Sequence, residues 1–205
     1  MDTFKLALSF LTRFNWNRSS HDKESLSRSL AHYPVVGMLL AASCVLLDLA
    51  LKNLIPRFWI DGLILAVLVW VRRSRQMDGV LGDSEKARWI FLLPKFFMLS
   101  LVPESLRWIS ISFMCAYSSA ILALTLKLVR ALNYSWENVI WALGTVFFLS
   151  LLCGPLGLFT LGFTWIGVSV LFKWFKKHSS WYEEVVELCS LSGTVLYVRW
   201  VFHFI

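Results

Sequence analysis

Charged side chains are scarce in this sequence, and their scarcity excludes an ordinary soluble domain. Only 16% of the 205 residues are Asp, Glu, Lys or Arg, whereas hydrophobic residues make up 58%. A typical soluble domain has about a quarter of its residues charged. The chain also lacks a long polar segment, so we interpret residues 1–205 as a single integral-membrane domain.

Other absences narrow the class of protein further. No cysteine spacing fits a metal site or a redox motif. The four cysteines lie singly in or beside apolar runs, as packing residues do. They are Cys44, Cys115, Cys153 and Cys189. There is no internal repeat, no strand-like alternation long enough for a barrel, and no cleavable signal-peptide order. The sequence therefore predicts an all-α membrane protein whose N-terminus stays attached.

Seven apolar runs predict a polytopic membrane helix bundle with about six to seven transmembrane helices. About 20 helical residues cross the hydrocarbon core of a bilayer. Pro94 and Lys95 interrupt the third run and favour a kinked or partly re-entrant helix there. Residues 4–14 predict an N-terminal interfacial helix with its aromatic side chains in lipid, and residues 19–29 predict a polar connector. The runs are residues 33–54, 58–71, 89–102, 106–129, 139–152, 158–172 and 185–205.

The distribution of Lys and Arg predicts how the bundle is oriented. If the N-terminus is cytoplasmic, most of the 20 basic residues fall in cytoplasmic loops, and the opposite loops hold only Lys52, Arg57 and Arg107. Membrane topology then accounts for the net charge of +7, and no motif favours a nucleic-acid partner. We expect a multi-pass protein with a cytoplasmic N-terminus.

A charged island, residues 72–88, lies between two apolar runs and predicts the catalytic site. Its carboxylates, Asp78, Asp83 and Glu85, are close enough in sequence to hold Mg²⁺, which binds a few carboxylates together with waters and phosphate oxygens. The preceding arginines are suited to binding phosphate: Arg72, Arg73 and Arg75. Phosphoryl transfer needs this combination. The alternative is a solvated loop whose acids offset its bases.

Two further sets of acids lie outside the island. Glu183, Glu184 and Glu187 begin the last run, also on the cytoplasmic side, and either complete the site or complement the dipole of the last helix. Asp48 and Asp61 lie in or near apolar runs, where a carboxylate is costly and usually functional. Both are also near enough to the run ends to reach lipid headgroups.

Three stretches of the first ninety residues resemble the cobalamin synthase family, adenosylcobinamide-GDP ribazoletransferase. Phe10-Leu11-Thr12-Arg13-Phe14 is similar to the family's F-L-T-R-L/I signature. Ser27-Arg28 followed by Tyr33-Pro34-Val35-Val36-Gly37 is similar to its S-R-x-x-x-x-F-P-L-I-G stretch. Gln76-Met77-Asp78-Gly79-Val80 occupies the place of its H-L-D-G-L.

The chain departs from the family pattern after Asp78. The family continues with aspartates at regular spacing, whereas this chain has Gly82 and Glu85 at those positions and Asp83 one residue out of register. Alternatively, Gly82-Asp83-Ser84 corresponds to a later R-D-S-R segment. The family's closing motif is hardly recognisable in residues 178–190, where either Glu187 or Glu183 matches an acid. The chain resembles a shortened and divergent member.

The resemblance implies an enzyme that joins adenosylcobinamide-GDP and α-ribazole, or its 5′-phosphate, to give adenosylcobalamin, or its phosphate, with release of GMP. It implies a bacterial inner-membrane location with Mg²⁺ as cofactor. Asp78, Asp83 and Glu85 would be catalytic metal ligands, and Arg72, Arg73, Arg75 and Glu187 would bind substrate. Expected partners are the bilayer, further copies of the chain and other corrinoid-pathway enzymes. The alternatives are a catalytically degenerate scaffold and a small transporter.

Overall fold

The computed structural model describes residues 2–12, 23–72, 84–129, 135–175 and 182–204, and all regular structure in these ranges is helical. The all-α prediction is confirmed for these residues, and the seven apolar runs correspond to helices α3 to α9. The helices are α1 (Asp2–Leu11), α2 (Lys23–Ser29), a 3₁₀ turn (Leu30–His32), α3 (Tyr33–Leu51), α4 (Arg57–Val71), α5 (Ser84–Leu101), α6 (Glu104–Val129), α7 (Trp136–Leu152), α8 (Gly154–Phe175) and α9 (Tyr182–Phe204).

Among the residues that the structure describes, two helical stretches are long and apolar enough to cross a membrane by length and composition, Glu24–Leu51 and Glu104–Lys127. Ile90–Leu101, Trp136–Leu152 and Gly154–Val170 are apolar but shorter. Many large apolar side chains on the outer surface are exposed, among them Leu46, Trp59, Ile140, Trp141 and Ile166. An apolar exterior of this kind is typical of an interaction with lipid or another protein.

Helix α6 is the central element of the bundle. It packs against α3, α7 and α9, and α9 in turn packs against α5 and α8. Its polar side chains sit in this interior because they bond to their own helix: Ser119 Oγ donates to the Cys115 carbonyl at 2.8 Å, and Thr125 Oγ1 to the Ile121 carbonyl at 2.8 Å. Such bonds remove the cost of burying a hydroxyl group.

Helices α3 and α6 run antiparallel and approach closely at Gly37. The start of α3 packs against the end of α6, since Tyr33 and Val36 share a buried cluster with Leu122 and Leu126. A Cβ atom at Gly37 would lie 2.5 Å from the Cys115 carbonyl oxygen and 2.7 Å from Ser119 Oγ. Only glycine fits this crossing, so one residue of the quoted family stretch has a packing role.

The N-terminal region differs from the sequence prediction in two ways. Helix α1 forms, but its apolar side faces the bundle and not lipid, because Ala7, Phe10 and Leu11 are buried in the same cluster as Tyr33. The predicted polar connector is partly helical: α2 carries an exposed Arg28–Glu24 ion pair at 2.6 Å and continues through the 3₁₀ turn into α3. An i,i+4 pair of this kind favours a helix.

Candidate functional site

Four charged side chains meet in the interior where α4, α5 and α9 come together. Arg72 pairs with Glu187 Oε1, while Lys95 donates to Glu187 Oε2 and to Glu184 Oε2. All four are buried, with exposures of 3% to 7%. We call Arg72, Lys95, Glu184 and Glu187 the inner cluster.

Three helices position the inner cluster. Arg72 directly follows the last residue of α4, and Glu184 and Glu187 lie in the first two turns of α9, where the helix dipole also favours carboxylates. Lys95 lies within α5, directly after Pro94. Apolar side chains of α4 and α5 surround the charges, among them Leu65, Leu68 and Leu92. Because two cations face two carboxylates, these four side chains balance in charge, which reduces the cost of burying them.

The structure brings together the two predicted site residues that lie farthest apart in the sequence. Arg72 and Glu187, both predicted to bind substrate, contact each other directly. Glu184 and Glu187, for which dipole complementation was the alternative, are buried ion-pair partners as well. Residues Arg73, Arg75, Asp78 and Asp83 lie outside the described residues. Glu85 lies in the first turn of α5, and its side chain is also outside the description.

Magnesium binding stays a prediction from the sequence. Within residues 2–12, 23–72, 84–129, 135–175 and 182–204, no group of three or more His, Cys, Asp or Glu side chains could hold a metal ion. Two of the predicted Mg²⁺ ligands, Asp78 and Asp83, belong to the segment between Arg72 and the start of α5, and the third, Glu85, follows in the first turn of α5. Both ends of that segment leave from helices that contribute to the inner cluster.

Lys95 is the functional candidate that the sequence prediction missed. It was interpreted only as an interruption of an apolar run, next to Pro94. Its signal was present, because a lysine inside an apolar helix is costly and is retained with a partner of opposite charge. The partners themselves, 89 and 92 residues further along the chain, could not be identified from local sequence.

A second charged cluster lies at the other end of α4. Arg107 Nη2 lies 3.0 Å from Asp48 Oδ1 and 2.6 Å from Asp61 Oδ1. Trp108 Nε1 donates to Asp48 Oδ2 at 3.1 Å. Asp61 is 0% exposed, Arg107 2% and Asp48 6%. We call Asp48, Asp61 and Arg107 the outer cluster; it connects α3, α4 and α6.

The outer cluster corrects the assignment of Arg107 to a loop. Arg107 lies in the first turn of α6, and its guanidinium group is buried between two carboxylates. Asp48 and Asp61 therefore bind a protein cation, whereas one sequence interpretation had them reaching lipid headgroups. The three residues are separated by 13 and 46 positions in the chain, so only helix packing reveals that they share one site.

The fold and its buried charges define a class of protein: an α-helical bundle with membrane-length apolar helices and ion pairs between helices. Residues 3–84 match the family model of cobalamin-5-phosphate synthase. This match confirms the resemblance to the cobalamin synthase family over α1 to the start of α5. No curated protein and no solved structure matches the chain significantly.

Proposed function

We propose that the chain is a multi-pass membrane phosphotransferase of cobalamin biosynthesis. In this reaction a ribosyl hydroxyl of α-ribazole, or of its 5′-phosphate, attacks the cobinamide-bound phosphorus of adenosylcobinamide-GDP. A new oxygen–phosphorus bond forms, the pyrophosphate bond breaks, and GMP leaves. The family match over residues 3–84 supports this reaction class.

The observation that carries the proposal is the inner cluster at the end of α4. Arg72 is the residue from which the predicted catalytic segment departs, and it is held by Glu187 of α9. The matched N-terminal region and the far end of the chain therefore contribute to one polar centre. This centre lies at the end of the bundle for which the distribution of Lys and Arg predicts a cytoplasmic location, where a nucleotide-activated substrate is available.

Arg72 is suited to exchange a carboxylate for a substrate phosphate. In the structure its guanidinium group contacts one oxygen of Glu187, and the other oxygen of Glu187 accepts from Lys95. If Arg72 moved to a phosphate oxygen, Glu187 would still contact Lys95, which it shares with Glu184. Each of the two carboxylates would therefore keep one cationic contact while Arg72 binds the phosphate. Arg73 and Arg75 follow in sequence and would contact the same pyrophosphate.

We assign Asp78, Asp83 and Glu85 to magnesium binding and catalysis. Bound magnesium would supply positive charge that neutralises the pyrophosphate oxygens. The role of this chain's residues is to hold the two substrates in line and to receive the hydroxyl proton, for which a carboxylate of this set is the candidate.

The test is GMP release from adenosylcobinamide-GDP and α-ribazole by the protein in lipid nanodiscs with magnesium. Wild-type turnover is expected, and Asp78→Ala should lower it by at least about 100-fold if this carboxylate acts in proton transfer or metal binding. Glu24→Gln, in the exposed part of α2, is the matched control and should retain turnover. Absence of GMP release by folded wild-type protein would contradict the enzymatic proposal.

A second candidate is a catalytically degenerate family member that acts as a membrane scaffold for other corrinoid enzymes. The observation in its favour is that the family match ends at residue 84, within the segment whose acids depart from the family spacing. A scaffold would co-purify with those enzymes equally well as wild type and as Asp78→Ala, with no turnover in either.

A further inference from the structure

The outer cluster differs from the inner cluster in its charge balance. The inner cluster pairs two cations with two carboxylates, whereas the outer cluster pairs two carboxylates, Asp48 and Asp61, with Arg107 alone. If both aspartates were ionised, the buried group would carry one excess negative charge. An excess charge in an apolar interior is strongly unfavourable and is usually removed by binding a cation or a proton.

Among the described residues, one more cation lies near this cluster, and it does not remove the excess. Arg57 lies one turn before Asp61 on α4, but it is exposed, and its guanidinium group donates to the Val102 carbonyl. Because Arg57 is exposed, solvent and salt screen its charge. Helix α5, which packs beside α4, presents the aromatic ring of Phe96 near Gly62, the residue after Asp61.

The two aspartates are not equivalent. Asp48 Oδ2 accepts a hydrogen bond from Trp108 Nε1, and Asp48 Oδ1 lies 3.0 Å from Arg107 Nη2. Asp61 is fully buried, and only its Oδ1 lies near a cation. Neither oxygen of Asp61 has a hydrogen-bond partner among the residues that the structure describes. A hydrogen-bond donor stabilises a buried carboxylate charge, so the negative charge is better stabilised on Asp48.

We propose that the outer cluster is a proton-binding site in which Asp61 holds the proton and Asp48 forms the ion pair with Arg107. The proton occupies Asp61 Oδ2, because Oδ1 is the oxygen that contacts Arg107, and makes the group of three side chains neutral. The site lies about 16 Å along α4 from Arg72, at about 1.5 Å of rise per residue, and therefore at the opposite end of this helix from the candidate active site. This inference does not depend on the proposed enzymatic function.

Infrared spectroscopy of the protein in a detergent without ester groups, at neutral pH, tests the proposal directly. A protonated carboxylic acid has a carbonyl band separate from the bands of a carboxylate. Wild-type protein should show this band, and heavy-carbon labelling of the aspartate carboxyl groups should shift it. No band, or a band that labelled aspartate does not shift, would overturn the proposal even if no variant were available.

Substitutions assign the band to the cluster. Asp61→Asn should abolish it because the proton-bearing group is gone. Asp48→Asn should also abolish it, because Asp61 then becomes the sole counter-ion of Arg107 and ionises. Glu104→Gln, at the exposed start of the same helix as Arg107, is the matched control and should leave the band unchanged. A band that survives Asp61→Asn would overturn the assignment.

Stability gives an independent measurement. A folded chain that keeps a proton on Asp61 binds it more tightly than the unfolded chain, in which aspartate is ionised above about pH 4. The melting temperature of wild-type protein should therefore fall as the pH rises from about 6 to about 9, and the fall should be smaller in Asp61→Asn. A wild-type stability that depends on sodium concentration, with no infrared band, would instead indicate a metal cation and overturn the proposal.

Discussion

Lys95 is the residue that connects the two carboxylates of the inner cluster. Its ammonium group is 3% exposed and donates to both Glu184 and Glu187. Removing one partner of a buried ion pair usually costs about 3–5 kcal/mol, since the remaining charge stays in the interior. Lys95→Met should therefore lower the free energy of unfolding by about that amount, measured by denaturant unfolding in detergent.

Two further variants distinguish the effect of burial from the effect of charge on the free energy of unfolding. Arg28→Met removes a cation from the exposed pair with Glu24 and should cost less than about 1 kcal/mol, as surface ion pairs do. Adding Glu184→Gln to Lys95→Met should recover part of the loss, because one cation and one carboxylate are then removed together. An equal cost for Lys95→Met and Arg28→Met would contradict the view that burial makes the inner cluster important.

At the scale of helices, the crossing of α3 and α6 depends on Gly37. An added Cβ would lie 2.5 Å from the Cys115 carbonyl oxygen, which belongs to the backbone and cannot rotate away. Gly37→Ala should force the two helices apart and cost about 1–3 kcal/mol, as overpacking does. The melting temperature in detergent measures this loss.

Gly144 provides the matched control for the helix crossing. It lies within α7, and a Cβ there would meet nothing within 4 Å. Gly144→Ala should be neutral or should stabilise the chain by up to about 1 kcal/mol, because alanine loses less backbone entropy in a helix than glycine does. If both substitutions had the same effect, the close approach of α3 and α6 would not be the reason for glycine at position 37.

At the scale of the whole molecule, the distribution of Lys and Arg predicts that α2 and the end of α3 lie on opposite sides of the membrane. Glu24 and Lys52 are exposed residues at these two places. In intact cells, a membrane-impermeant maleimide should label Lys52→Cys and should label Glu24→Cys only after the cells are opened. Both variants are made with Cys153→Ser and Cys189→Ser, because these two cysteines are partly exposed free thiols. The reverse labelling would contradict the predicted orientation.

The sequence by itself determined the helical class and the main helices of this protein. Long apolar runs interrupted by polar segments leave few other structures, because backbone groups in an apolar environment must bond within a helix. The same local information identified the charged island and, through three short stretches, the family whose model matches residues 3–84. It failed at the polar residues 19–29, where part of the predicted connector forms α2, since helix packing outweighed local composition.

Only the tertiary structure decided which charges meet. Lys95 and Arg107 carried no local pattern beyond a cation in or beside an apolar run, and their partners lie on other helices. Ion pairing depends on distances of a few ångströms, whereas the sequence order gives no distance between helices until the bundle has packed. The packing of α3 to α6 and α9 therefore determines that Arg72 pairs with Glu187. The same packing gives the inner and outer clusters their unequal charge balance.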